Sequence, residues 1–242
     1  MTETFAALLF AHVMADFVFQ TNWMAANKHR APAMLAHGAV VLACTLGALG
    51  SLDPTLWFLA LSHLGIDLIK AHSRRAGLGA FLADQAAHLL VIAVVALWQP
   101  GLMAQGLWGG IAPLPALMAL VAGAVLATRA GGFAIGLLMA PFAAALPPAM
   151  SAEGLPGAGR LIGLLERGLI LALVLLHQPE GVGLLMAAKS ILRFGAVKDD
   201  RALSEYVIIG TLASLGWALL VGYATLALLT ALPPLGIFPT SP

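Results

Sequence analysis

The sequence predicts an all-α, polytopic membrane protein: a transmembrane helical bundle of about eight spans plus one amphipathic surface helix. Three observations predict it. Of the 242 residues, 61% are hydrophobic, and mean hydropathy is +0.96. Only 10% are charged, against about 25% in soluble domains. Gly-, Pro- and charge-rich loop signals separate apolar stretches of the length a span needs, about 17–25 residues. Backbone polar groups in lipid must be satisfied within the segment. No alternating barrel pattern is visible, so the spans are helices. A net charge of +1 argues against a nucleic-acid surface. Cys44, the one cysteine, sits in an apolar stretch, which excludes an intrachain disulfide or thiolate cluster.

The first span is placed at Thr4–Thr21. Its start, MTETFAALLF, lacks a basic n-region and a small-residue cleavage site, so it reads as a permanent span. Spans two to four are placed at Ala33–Gly50, Pro54–His72 and Gly79–Trp98, separated by NKHRAP, GSLDP and SRRAGLG and closed by QPG. A Gly/Pro-rich region then suggests spans at Pro113–Thr128 and Gly132–Pro148. The linker PPAMSAEGLPGAG marks a boundary, followed by a span at Arg160–His177, an amphipathic stretch at Gly181–Phe194, a final span at Glu205–Leu229 and an irregular tail, PPLGIFPTSP. The organisation expected is a four-helix unit over residues 1–100 and a C-terminal membrane region over 101–242.

Basic residues set the orientation. Lys28 and Arg30, Arg74 and Arg75, and Arg129 follow the first, third and fifth spans, which makes that side cytoplasmic. Lys189, Arg193, Lys198 and Arg201 join them if Gly181–Phe194 lies along the surface. The count is then eight, with both termini outside. If that stretch crosses, there are nine spans and the charge rule is broken once.

Within the first unit a histidine and an aspartate lie four residues apart three times: His12 and Asp16, His63 and Asp67, Asp84 and His88. Positions i and i+4 share a helix face. Ionisable groups inside spans are costly and mark functional sites by default. Measured from the cytoplasmic helix ends, each aspartate lies about five residues in, roughly 7 Å, and each histidine about nine residues in, roughly 13 Å. The motif reverses to DxxxH in span four, where the helix direction reverses. The expectation is one layer of acids and a deeper layer of imidazoles, with His37 in the acid layer, Gln20 below Asp16 and Gln85 beside Asp84.

Three chemistries use such layers. A divalent metal, zinc being the best match, takes imidazole and carboxylate ligands and acidifies a bound water. On that reading His12, Asp16, His37, His63, Asp67, Asp84 and His88 are the ligand candidates. Asp16, Asp67 and Asp84 are also the candidates for base or ligand-orienting carboxylate. Alternatively, the layers relay protons or pass a divalent cation in a transporter, or the pairs lock a structural scaffold together. No HExxH motif of a zinc protease is present.

Other residues have plainer readings. His29 and His72 read as solvated and His177 as interfacial. Trp23, Trp57, Trp98 and Trp108 fit an aromatic belt. Asn22, Asn27 and Lys28 could line the site entrance, but helix capping is the preferred role. In the second half, Arg160, Glu166, Arg167, Lys189, Arg193 and Glu205 suggest an ion-pair network tying the amphipathic stretch to its neighbours, or a basic cradle for anionic headgroups or a phosphorylated substrate.

The run AHVMADFVFQTNWMAANKHR, then His37, HLGIDLIKAH and FLADQAAHLL, resembles the bacterial membrane family known as domain of unknown function 3307, over about residues 5–95. GRLIGLLERG, AAKSILRF and SEYVIIGTLASLGWA resemble its longer members. The resemblance implies a multi-pass protein of the bacterial inner membrane, with no established reaction. His12, Asp16, Gln20, Lys28, His37, His63, Asp67, Asp84 and His88 match the family's pattern. A looser similarity, to membrane-bound metal-dependent hydrolases, is an analogy. The expected function is metal-dependent hydrolysis of a lipid or other membrane-associated substrate, with membrane lipids as partners and no nucleic acid.

Overall fold

The computed structural model describes residues 1–73, 75–145, 155, 157–193 and 201–236. Arg74, Lys198, most of the linker at 147–159 and the end of the tail lie outside them. All regular structure among the described residues is helical. Five helices are long and apolar enough to cross a membrane: Thr2–Phe19, Ala31–Leu49, Leu78–Trp98, Leu114–Ala144 and Arg201–Thr230.

The difference from eight expected spans has three local causes. The fifth and sixth are one continuous helical segment, Leu114–Ala144. Arg129 therefore lies inside a helix and not in a loop, which removes it from the orientation argument. The third, Pro54–His72, has a span's length but carries His63, Asp67, Lys70 and His72. The seventh, Ala158–Leu175, carries Arg160, Glu166 and Arg167. Charged groups of this kind lower a segment's mean hydropathy whatever its packing.

The chain forms two compact units. The first comprises Met1–Val125 and Ala227–Leu235. Its helices are α1 (Thr2–Met14), α2 (Asn22–Ala26), α3 (Ala31–Leu49), α4 (Pro54–His72), α5 (Leu78–Trp98), α6 (Leu102–Gln105) and α7 (Leu114–Val125). Helix α1 is the central rod. It packs against α3, α5, α6 and α7, and Ala6, Ala7, Leu8, Ala11 and Val13 are all buried. Its alanines let neighbouring backbones come close, as small residues do in membrane bundles. One core cluster joins Leu8 and Ala11 to Leu49, Leu56, Ile92 and Met103.

The ends of these helices follow from local chemistry. Helix α3 stops at Gly50, whose φ of 57° favours glycine. The Asp53 carboxylate caps α4 by accepting from Thr55 N–H at 2.8 Å, and Pro54 occupies the first turn. These hydrogen bonds to Thr55 hold the Asp53 carboxyl below the usual aspartate range. The outer faces of α4 and α5 are apolar: Phe58, Leu61, Ile69, Leu90, Val94 and Leu97 are all exposed. Exposed apolar faces of that extent belong against lipid, not water.

The second unit contains Leu126–Leu226. Its helices are α8 (Gly131–Ala144), α9 (Ala158–Leu175), α10 (Pro179–Arg193) and α11 (Arg201–Thr230), whose last turn belongs to the first unit. Ile170, Val174, Val182 and Ala218 form its core. The expected amphipathic stretch is helical, as α10, and Lys189 on it pairs with Glu166 of α9 at 2.7 Å. An ion pair between this stretch and its neighbour is thus present.

Candidate metal centre

The three HxxxD or DxxxH pairs converge inside the first unit. Helix α1 changes from α to π geometry at Ala15–Phe19, so Asp16 sits in the wide turn. Such turns are rare and frequent at functional sites. Helices α3, α4 and α5 bring in His37, His63 with Asp67, and Asp84 with His88. His12, His37, His63, Asp67, Asp84 and His88 are all buried, and the Asp16 side chain is 7% exposed. All seven expected ligands therefore meet in one place.

Four atoms form its centre. His37 Nε2 and His63 Nε2 are 3.2 Å apart. Asp16 Oδ1 lies 3.3 Å from His37 Nε2 and 3.2 Å from His63 Nε2. Asp67 Oδ2 lies 3.1 Å from His37 Nε2 and 3.5 Å from His63 Nε2. His37 thus falls among the acids, as its position in span two predicts. The expected separation of acids and imidazoles into two layers is blurred here, because the carboxylates reach up to the ring nitrogens.

These spacings bear on what the cluster could hold. Hydrogen bonds from imidazolium to carboxylate run about 2.7–2.9 Å. The observed contacts are longer, and Asp16 Oδ1 has no hydrogen-bond partner despite two nitrogens nearby. Ligand atoms about 2.0–2.1 Å from a tetrahedral zinc stand about 3.3–3.4 Å from one another. The five distances lie at or near ligand-to-ligand spacing, and those of 3.1–3.2 Å are also within hydrogen-bond reach.

The flanking groups point the same way. His12 Nε2 is 3.2 Å from Gln85 Oε1. An amide oxygen only accepts, so Nε2 carries a proton, and in the neutral ring Nδ1 holds a lone pair. That Nδ1 is buried without a partner and faces Asp16 Oδ2 at 4.0 Å. With a neutral His12 two acceptors face one another, a place for a cation or for a proton on Nδ1. His88 Nδ1 donates to Asp84 O at 2.9 Å, which leaves Nε2 as an unpartnered buried lone pair. The His63 and His88 rings are 4.1 Å apart, those of His12 and His88 5.0 Å. Three ligand-spaced groups result: His12, Asp16 and His63; His37, His63 and Asp67; Asp67, Asp84 and His88.

Two lysines close the acid side. Lys28 Nζ donates to both Asp67 oxygens at 2.8 Å. Lys70 Nζ lies 2.6 Å from Asp84 Oδ2, which also accepts from Gln85 Nε2 at 3.2 Å. Capping of α2 is done by Thr21, whose Oγ1 accepts from Met24 N–H at 3.2 Å, and Asn27 donates to Trp23 O. Capping, the role preferred for Asn22, Asn27 and Lys28, is thus shared by Thr21 at the N-terminus of α2 and Asn27 at its C-terminus, while Lys28 pairs with Asp67. Lys70 escaped the sequence reading, although its place one turn after Asp67 was a usable signal. Gln20 Oε1 is buried and unpartnered. The cavity beside His12, His63 and His88 measures about 10 Å³, room for about one water.

Residues 4–106 match the family described as "Protein of unknown function (DUF3307)". The matched stretch contains every residue of the site. The looser similarity to hydrolases has no counterpart in this match. No curated protein and no solved structure matches.

Proposed function

We propose that this DUF3307 domain is a membrane-embedded divalent-metal centre that hydrolyses a bond in a lipid or other membrane-associated substrate. The observation that supports it is the set of His37 Nε2, His63 Nε2, Asp16 Oδ1 and Asp67 Oδ2, at ligand-to-ligand spacing in a buried site. Zinc fits the mixed imidazole and carboxylate donors best. His12 and His88 supply further lone pairs beside them. An ion bound here lowers the pKa of a coordinated water towards neutrality. Asp84 Oδ1 has no hydrogen-bond partner and is the candidate base. Lys28 and Lys70 orient Asp67 and Asp84 and place positive charge where an anionic group would approach. On this reading the protein is a multi-pass protein of the bacterial inner membrane. Helix α4 crosses with α3 and α5, between which it packs, and α9 crosses as well, which with the five apolar helices makes seven crossings.

The test is metal content together with turnover. Wild-type protein purified without chelator, and a His63→Ala variant, are compared for bound zinc. Both are assayed for release of water-soluble headgroups from a bacterial lipid extract. Zinc retention and chelator-sensitive release, both lost in His63→Ala, support the reading. A folded wild type that neither retains nor takes up metal ends it.

A second reading, passage of a divalent cation or proton, is favoured by one observation. The cavity beyond the imidazoles holds about one water and is lined by Thr45 and Ser62 as well as His12, His63 and His88. Such a space suits an ion and not an organic substrate. Flux into liposomes that is lost in Asp67→Asn, without headgroup release, selects this reading over hydrolysis.

A further inference from the structure

The second unit holds a cavity of about 640 Å³, within the range of ligand pockets, about 300–1,000 Å³. Helices α8, α9, α10 and α11 all contribute to it. Most of its wall is apolar, from residues such as Ile135, Met139, Ile162 and Leu185. Its charged groups are Glu166, Arg167 and Lys189. The Glu166 carboxylate is already engaged by Lys189 at 2.7 Å.

Arg167 is different. It is 5% exposed, and no carboxylate lies within ion-pair distance of it among the described residues. Its Nε donates to Ala127 O at 3.0 Å, Nη1 to Ser214 Oγ at 3.2 Å and Nη2 to Thr128 O at 3.0 Å. A guanidinium has five N–H donors, so one on each terminal nitrogen remains. The three charged groups leave a net positive charge at an apolar cavity. Uncompensated charge in an apolar helix is costly and is retained where a partner is bound.

We infer that this cavity binds an anionic phospholipid of the surrounding bilayer, its phosphate at Arg167 and Lys189 and an acyl chain along the apolar wall. Charge complementarity selects this occupant, since a zwitterionic lipid brings its own cation into a site that already carries one too many. The inference stands apart from the metal centre and uses none of its residues.

The experiment is native mass spectrometry of the full chain in detergent, titrated with dioleoylphosphatidylglycerol or dioleoylphosphatidylcholine. Wild type should retain the anionic phosphatidylglycerol, hereafter the glycerol lipid, preferentially. Lys189→Gln should weaken that lipid about fivefold, the worth of one cation beside an anionic lipid, and Glu166→Gln should strengthen it by a similar factor. Gly159→Phe should displace it, because a side chain there meets nothing within 4 Å and can enter the cavity. Gly210→Leu is the second filling variant, its Cβ in ordinary contact with Met139 at 3.6 Å. Equal retention of the two lipids, no retention of either, or glycerol-lipid binding unmoved in both filling variants with unchanged thermal unfolding would overturn the inference.

Discussion

Replacing His63 by alanine tests the metal centre most directly. His63 Nε2 stands 3.2 Å from His37 Nε2, 3.2 Å from Asp16 Oδ1 and 3.5 Å from Asp67 Oδ2. It belongs to two of the three ligand-spaced groups. Loss of a residue that only supports a ligand costs about 10–100-fold in metal affinity. Loss of a ligand shared by two groups should cost at least the upper figure, about 100-fold, or about 2.8 kcal/mol. The assay is equilibrium competition with a chromophoric zinc chelator in detergent, with cobalt absorption reporting tetrahedral coordination. His72→Ala is the control: His72 is exposed, its Nδ1 donates to Leu68 O, and it lies outside the cluster, so affinity should not change. If His63→Ala is folded and binds zinc as tightly as His72→Ala, the four-atom centre is not a metal site. The pairs would then be structural glue, and His63→Phe with Asp67→Leu and Lys28→Met, which removes the lysine that Asp67 holds, should leave the protein folded and working.

Three further outcomes follow from the same geometry. Lys28→Met leaves the buried Asp67 carboxylate without its cation and should cost about 3–5 kcal/mol without metal; added zinc should restore more thermal stability to this variant than to wild type. Gly38→Val should destabilise by about 1–3 kcal/mol, because a Cβ at Gly38 falls 2.7 Å from Leu64 Cδ1 and the leucine side chain must repack; an unchanged unfolding midpoint would refute that overpacking. Asp53→Ala should cost about 1 kcal/mol at neutral pH through loss of the α4 cap. Because the Asp53 carboxyl lies below its ordinary value of 3.8 in the folded protein, this contribution is present above that value and fades as pH falls through the lower folded value. Unfolding midpoints of wild type and Asp53→Ala should therefore converge in acid, and a constant gap down to pH 3 would contradict it.

The sequence by itself determined the helical class, the presence of helices apolar enough to cross a membrane and the three i,i+4 pairs that the fold brings together. Composition decides the solvent, because a chain with so few charges cannot clothe itself for water. An i,i+4 pair shares a helix face in any environment, so His12 with Asp16, His63 with Asp67 and Asp84 with His88 were readable as facing pairs, and the reversed motif revealed the reversed helix. The span count was less legible. The break expected near Arg129 rested on the residue types at 129–132, and a π turn can carry the helix through them.

Only the tertiary structure decided how the pairs combine. Sequence spacing constrains one helix, whereas the contact of His37 with His63 depends on how α3 packs against α4. The partners of Asp67 and Asp84 were equally hidden. Lysine side chains are long enough to reach across helices, so Lys28 and Lys70 find their carboxylates through packing and not through any local rule. The cavity at Arg167 is a property of four helices at once, and no stretch of the chain announces it alone.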